Sequence, residues 1–121
     1  MEDGRISNGQ ISASSEWDPN HAAIQGRLNF KQRGAKQGAW SARANNVNQW
    51  LQVDLGCQYT RVSHVATQGR NGYNQWVTRY MLQHGSNELH FLHYREHGQP
   101  DYKVDRRKIR LLSLTTSYSF D

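Results

Sequence analysis

Turn residues recur about every 8–12 residues along much of this chain, and few stretches between them keep a helical period. That spacing favours an antiparallel sandwich or barrel. The clearest strand is Trp50-Leu51-Gln52-Val53-Asp54-Leu55-Gly56. Leu51, Val53 and Leu55 fall on one face, and Trp50, Gln52 and Asp54 on the other. Gly56 supplies the backbone freedom to turn at its end, and Asn45, Asn46 and Asn48 lead into it. Asp54 is the odd residue, since a mid-strand carboxylate must face solvent or meet a donor. A structural ion pair is its expected role, because no second acid stands nearby in sequence.

The other segments are shorter. Asn8-Gly9 reads as a tight turn of type I′ between Ile6 and Ser12, and Ser12–Ser15 as a small, polar edge strand. Asp18-Pro19-Asn20 is turn chemistry, and His21-Ala22-Ala23 is expected to begin one helical turn. Residues 31–38 form a polar loop with two glycines and three bases. Arg61–Thr67 is β-rich, and residues 68–75 form a loop. From Trp76 to Leu82 the chain alternates, placing Trp76, Thr78, Tyr80 and Leu82 on one face. Leu89–Tyr94 reads as a further strand.

The 121 residues make one domain, and at 36% hydrophobic content its core must lean on four Trp, six Tyr and three Phe. No apolar run approaches the ~20 residues that span a bilayer, and Met1-Glu2-Asp3-Gly4 is not a secretory apolar segment. Cys57 stands alone, which excludes an intrachain disulfide and a multi-cysteine zinc site. The net charge of +5 invites a nucleic-acid reading, but five bases and one acid lie in residues 103–110, leaving ten bases against nine acids elsewhere. A solvated charge run is the ordinary meaning of such a stretch. His90, His93 and His97 would share a face on a helix and suit zinc, but on a strand His90 and His93 point apart. Strand is the expected state, so no metal site is assigned. Esterase, zinc-protease and phosphate-loop signatures are absent, and so is an N-glycosylation sequon.

Six motifs, taken in order, resemble the discoidin domain, also called the coagulation factor V/VIII type C domain. They are Ile11-Ser12-Ala13-Ser14-Ser15, Gly26-Arg27-Leu28-Asn29, Gly38-Ala39-Trp40-Ser41-Ala42, Gln49-Trp50-Leu51-Gln52-Val53-Asp54-Leu55-Gly56, Thr67-Gln68-Gly69-Arg70 and Gln75-Trp76-Val77-Thr78-Arg79-Tyr80. The resemblance covers residues 4–104. It implies an all-β jelly-roll sandwich of the galactose-binding type and an extracellular recognition module, not an enzyme. It also implies binding of a glycan, an anionic phospholipid surface, or a matrix or cell-surface protein such as collagen. Binding would use loops at one end of the barrel, here Trp17–Ile24, Lys31–Gly38 and Arg70–Gln75.

The chain departs from the family pattern in two ways. It lacks the cysteine pair usual at the family's two ends. After Val104 the family continues with Phe-x-Gly-Asn-x-Asp, whereas residues 105–121 read as an unrelated basic tail. The last family strands are therefore expected to be missing, as in a fragment, an alternative exon or a shifted reading frame. An unpaired sheet edge would follow, unless Ile109, Leu111, Leu112 and Leu114 form a substitute strand.

On the resemblance, Trp17, Asn20, His21, Arg70, Tyr73 and Trp76 make the binding face, and Trp40, Trp50 and Asp54 belong to the structural core. Trp17 matches a Trp in the first loop of the collagen-binding relatives. Arg70 and Arg27 suit anionic headgroups or sugar hydroxyls, and equally suit pairing with Asp54. Asp18 and Asn20 offer two oxygen ligands where some relatives hold calcium, too few to define a site, and no other cofactor is expected. Two alternatives stand beside this reading. One is an intracellular basic protein binding nucleic acid through Lys103–Arg110; the other is a zinc enzyme using the three histidines.

Overall fold

The computed structural model of the protein describes residues 3–56, 62, 64–85, 91–93 and 108–118. Cys57, His90, His97 and residues 94–107 lie outside that set, so the readings placed on them lie outside it too. Five strands form one antiparallel sheet: β1 (Ile11–Ala13), β2 (Gln49–Asp54), β3 (Gln75–Gly85), β4 (Phe91–His93) and β5 (Lys108–Tyr118). Their order across the sheet is β1-β2-β5-β3-β4.

Within residues 105–121, read from the sequence as a basic tail, Ile109, Leu111, Leu112 and Leu114 lie in β5, the substitute strand weighed for them. Lys108–Tyr118 runs between β2 and β3 and pairs with both, with Leu112 opposite Trp50 on one side and Met81 on the other. An eleven-residue run without Gly or Pro, rich in Leu, Ile, Thr and Tyr, is suited to a central strand. The expected bare edge is thus filled at that position.

Within β2 the expected alternation holds. Leu51, Val53 and Leu55 line a large apolar cleft of about 1110 Å³ together with Trp40, Trp76 and Tyr80. Alternation in β3 is interrupted. The register with β5 shifts between Val77 and Arg79 and again between Arg79 and Tyr80, and bulges of this kind turn side chains off their strict faces. Val77 therefore lines the cleft beside Trp76 and Tyr80. Among the residues whose side-chain burial is described, Ile11, Ala23 and Ala42 are buried apolar side chains.

Asn8-Gly9 is not a type I′ turn. Asn8–Gln10 forms a 3-10 turn in which Gln10 Oε1 accepts from the Ser7 amide at 2.8 Å. The Gln10 side chain replaces the positive backbone angles that Asn-Gly would have provided, and neither Asn8 nor Gly9 has a positive φ. Two more 3-10 turns follow at Pro19–His21 and Ala23–Gly26.

Candidate functional site

The first loop is built on Asp18. Its Oδ1 accepts from the amides of Asn20 and His21 at 2.9 and 3.0 Å, and Pro19 starts the turn with its φ already set. The His21 ring meets the same oxygen through Nδ1 at 2.6 Å. That hydrogen bond from His21, helped by the backbone donors, holds the Asp18 carboxyl below the ordinary aspartate range. Glu16 Oε1 accepts from the Ala23 amide at 3.0 Å and closes the loop from its other side. Asp18 Oδ1 thus accepts from three N–H groups, which fixes the turn around it.

Hydrogen bonds join the three loops. The Gln37 amide donates to Asn20 O at 2.9 Å, and the Ser41 amide to His21 O at 3.2 Å. Lys36 Nζ donates to Pro19 O at 3.1 Å. Residues 31–38 meet the third loop where the Gln32 amide donates to Asn71 Oδ1 at 3.1 Å. Gly38 permits that approach, since a Cβ there would sit 2.7 Å from Phe30 O and 2.8 Å from Asn71 Cβ.

Arg70 is the keystone between loops. Its guanidinium donates to Gln75 Oε1 at 2.7 Å and to Gln37 Oε1 at 2.6 Å, and lies 3.8 Å from the Tyr73 ring centroid. Arg70 is therefore engaged away from Asp54, whose carboxylate accepts from the Gly56 amide at 2.9 Å. Arg27 is buried, with its guanidinium donating to Asn8 Oδ1 at 2.8 Å. The Arg70 Nε–H is buried without a hydrogen-bond partner among the described residues. Such an unmet donor is costly, about 1–3 kcal/mol, and tends to mark functional positions.

Trp17, His21 and Arg70 come together around a pocket of about 330 Å³, completed by Ser41, Ala42, Arg43, Asn45 and Gln75. Trp17 presents 61% of its surface to solvent while its amide donates to Ser41 O at 2.8 Å, so the ring is exposed on an anchored backbone. Tyr73 adjoins this pocket through its contact with Arg70, whereas Asn20 is not among the lining residues. Trp76 lies elsewhere: it lines the large cleft over the sheet. Trp40 also faces that cleft, half-buried, with its indole Nε1–H donating to Ser15 O at 2.9 Å. Trp50 is half-buried on the opposite face of β2.

Several residues of the site carry no signal of their own in the sequence. Arg43 and Asn45 follow a framework motif and reach the pocket only through the fold. Gln49, buried at the start of β2, accepts from Ser14 Oγ and Ser15 Oγ at 2.9 and 2.6 Å and donates to Asn46 Oδ1 at 2.9 Å. That network fixes the floor from which the first loop rises. Among the described residues, no three His, Cys, Asp or Glu side chains gather as a metal site would need. His93 lies in β4, the strand state expected for it.

The sequence profile of the F5/8 type C domain matches residues 10–118. The chain belongs to the F5/8 type C family. The match runs through β5, so family likeness extends past Val104. Relatives include Sus scrofa coagulation factor V, 37% identical over 108 residues, 79% of this chain and 4% of that protein. Bos taurus lactadherin is 32% identical over 116 residues, 86% of this chain and 25% of that protein. Mus musculus retinoschisin is 32% identical over 102 residues, 79% of this chain and 44% of that protein. The chain thus spans less than half the length of each. Discoidin II of Dictyostelium discoideum superimposes with TM-scores of 0.66 and 0.67 in two structures, over 88% of this chain and about half of that one. At 17% and 22% identity this likeness shows the fold, a galactose-binding-like β-sandwich. The F5/8 type C loops named from the sequence are the ones that hydrogen bonds join at the N-terminal ends of β2 and β3.

Proposed function

We propose that this domain is an extracellular recognition module, not an enzyme, and that it binds its ligand at the pocket between Trp17, His21 and Arg70. The observation that carries this reading is the exposed Trp17 ring on a backbone fixed by Asp18 and Ser41. A large aromatic surface that is already ordered loses little entropy on binding, the usual condition for a hot spot. Arg43, Asn45 and His21 add polar groups around it, a composition suited to a sugar ring or a headgroup rather than to a wholly apolar ligand. Membership of the F5/8 type C family supports a binding role, and the ligand class comes from glycans, anionic phospholipids and matrix proteins.

The test is a panel of galactosides, phosphatidylserine vesicles and collagen, run on the parent chain and on Trp17→Ala. Removing a hot-spot aromatic costs ~2 kcal/mol or more, so affinity for the panel's ligand is expected to fall about thirtyfold with the circular dichroism spectrum unchanged. Parent-like affinity in Trp17→Ala rejects the pocket as the binding site.

A further inference from the structure

The chain holds two Asn-Gly pairs, Asn8-Gly9 and Asn71-Gly72, and the fold treats them differently. Such a pair carries its own reactants. The glycine backbone nitrogen can close a five-membered ring onto the asparagine side-chain carbonyl. Glycine has no Cβ to crowd that attack, and it lets the peptide between the two residues turn. Whether the pair reacts in a folded chain depends on what holds that peptide.

At Asn8-Gly9 the peptide is held. The pair lies in the 3-10 turn Asn8–Gln10, and the Asn8 carbonyl accepts from the Ile11 amide. Turning this peptide toward the side chain breaks that bond. The Asn8 side chain is itself tied to the buried Arg27, whose guanidinium donates to Oδ1 at 2.8 Å. Reaction there waits for the turn to open.

At Asn71-Gly72 the peptide is not held. The turn from Arg70 to Tyr73 is closed by the Tyr73 amide donating to Arg70 O at 3.4 Å, a long bond. Gly72 takes its left-handed position at φ +79°. Among the described residues, neither the Asn71 carbonyl nor the Gly72 N–H is in a backbone hydrogen bond. Gly72 is exposed, and nothing lies within 4 Å of the place its Cβ would take, so solvent reaches the peptide. The side chain is nevertheless in place, because Asn71 Oδ1 accepts from the Gln32 amide at 3.1 Å. That oxygen takes the charge when Cγ is attacked, and a fixed N–H on it stabilises the charge. Both asparagines have a donor at Oδ1, so the difference between the pairs lies in the backbone.

We propose that Asn71-Gly72 is a self-modification site, which converts through a cyclic imide to aspartate and isoaspartate in the folded domain and so releases the third loop from residues 31–38. A solvent base takes the Gly72 N–H proton, and the nitrogen attacks Asn71 Cγ. The N–C bond forms as the carbonyl electron pair moves onto Oδ1. Collapse expels Nδ2, which takes a proton from water and leaves as ammonia. Water then opens the imide. Cleavage between Gly72 N and Cγ gives aspartate, and cleavage between Gly72 N and the Asn71 main-chain carbonyl carbon gives isoaspartate. No atom is oxidised or reduced. In isoaspartate the main chain runs through Cβ and Cγ, which adds a carbon to the turn between Arg70 and Tyr73. The oxygen that held the Gln32 amide becomes a main-chain carbonyl and leaves its place.

The experiment ages the full chain in mildly alkaline, oxygen-isotope-labelled water, once folded and once unfolded in guanidinium. Peptide mapping by mass spectrometry follows the amide-to-acid conversion at each pair, and an isoaspartyl methyltransferase marks the iso product. In the folded chain Asn8 is expected to convert about tenfold or more slowly than in the unfolded one, since its hydrogen bonds must first break. Asn71 should convert at a similar rate in both states. Asn71→Gln keeps the side-chain amide but removes the five-membered ring, so it should stop the conversion at that position. The Gln32 amide, followed by hydrogen exchange in NMR spectra, should lose protection as the parent ages and keep it in aged Asn71→Gln. The proposal is overturned if folding slows Asn71 as much as Asn8, or if the Gln32 amide stays protected in chains that carry isoaspartate.

Discussion

The Oδ1 atom of Asp18 accepts from two amides and one imidazole, so the turn at Pro19–His21 depends on this carboxylate. Because the folded-state pKa lies below the unfolded one, this carboxylate contributes to folding above the unfolded value of ~3.9. That contribution is lost as pH falls through the lower, folded value. The loop is therefore expected to hold its conformation from neutral pH into moderate acid and to loosen only below the ordinary aspartate range. Backbone amide NMR shifts of Asn20 and His21 report this directly, since those amides donate to Asp18. Their acid midpoint should lie below that of a free aspartate, and Asp18→Asn should abolish the transition. A midpoint at or above the free value would mean the hydrogen bonds do not favour the charged form. Asp18-Pro19-Asn20 was legible as a turn from the chain alone, because capping is local. The roles of Gln37 and Arg43 were not, because each acts on residues distant in sequence: Gln37 accepts from Arg70, and Arg43 shares a pocket with Trp17.

At the scale of elements, the binding end depends on how closely residues 31–38 approach residues 70–75. Gly38 sits at that crossing, and a methyl group there would meet two neighbours inside 3.0 Å, one of them a backbone carbonyl. Neither can swing aside as a long side chain would. Gly38→Ala is therefore expected to cost about 1–3 kcal/mol of stability, the usual range for overpacking. It should also weaken ligand binding, because shifting Asn71 disturbs the loop that carries Arg70. Thermal melting and affinity measured on the same sample check both halves; a variant that melts and binds like the parent would show that the loops are not coupled through Gly38. Strand β2 was readable because its alternation is unbroken. Strand β3 was readable in extent but not in facing, since its two register shifts move Val77 beside Trp76 and Tyr80. Bulges are set by the partner strand, and a single segment's alternation cannot reveal them.

For the molecule as a whole, β5 decides whether there is a sheet at all. It is the strand between β2 and β3, so the β1-β2 pair and the β3-β4 pair meet only through it among the described strands. Its place was not legible from the family pattern, because the residues after Val104 depart from Phe-x-Gly-Asn-x-Asp, although Ile109, Leu111, Leu112 and Leu114 suit a substitute strand. Backbone pairing joins β5 to β2 along Gln49–Asp54 and to β3 along Gln75–Gly85, so β5 takes a large share of what holds the strands in register. Two hairpin-sized fragments without it would be marginal on their own. A chain ending at Arg107 is therefore expected to lose its cooperative thermal transition and to aggregate through the exposed edges of β2 and β3. The full chain should melt in one reversible step as a monomer. Circular dichroism melts with size-exclusion chromatography on both chains make the comparison. If the shortened chain melts as cooperatively as the full one, β5 is dispensable and the strands are held by their packing alone.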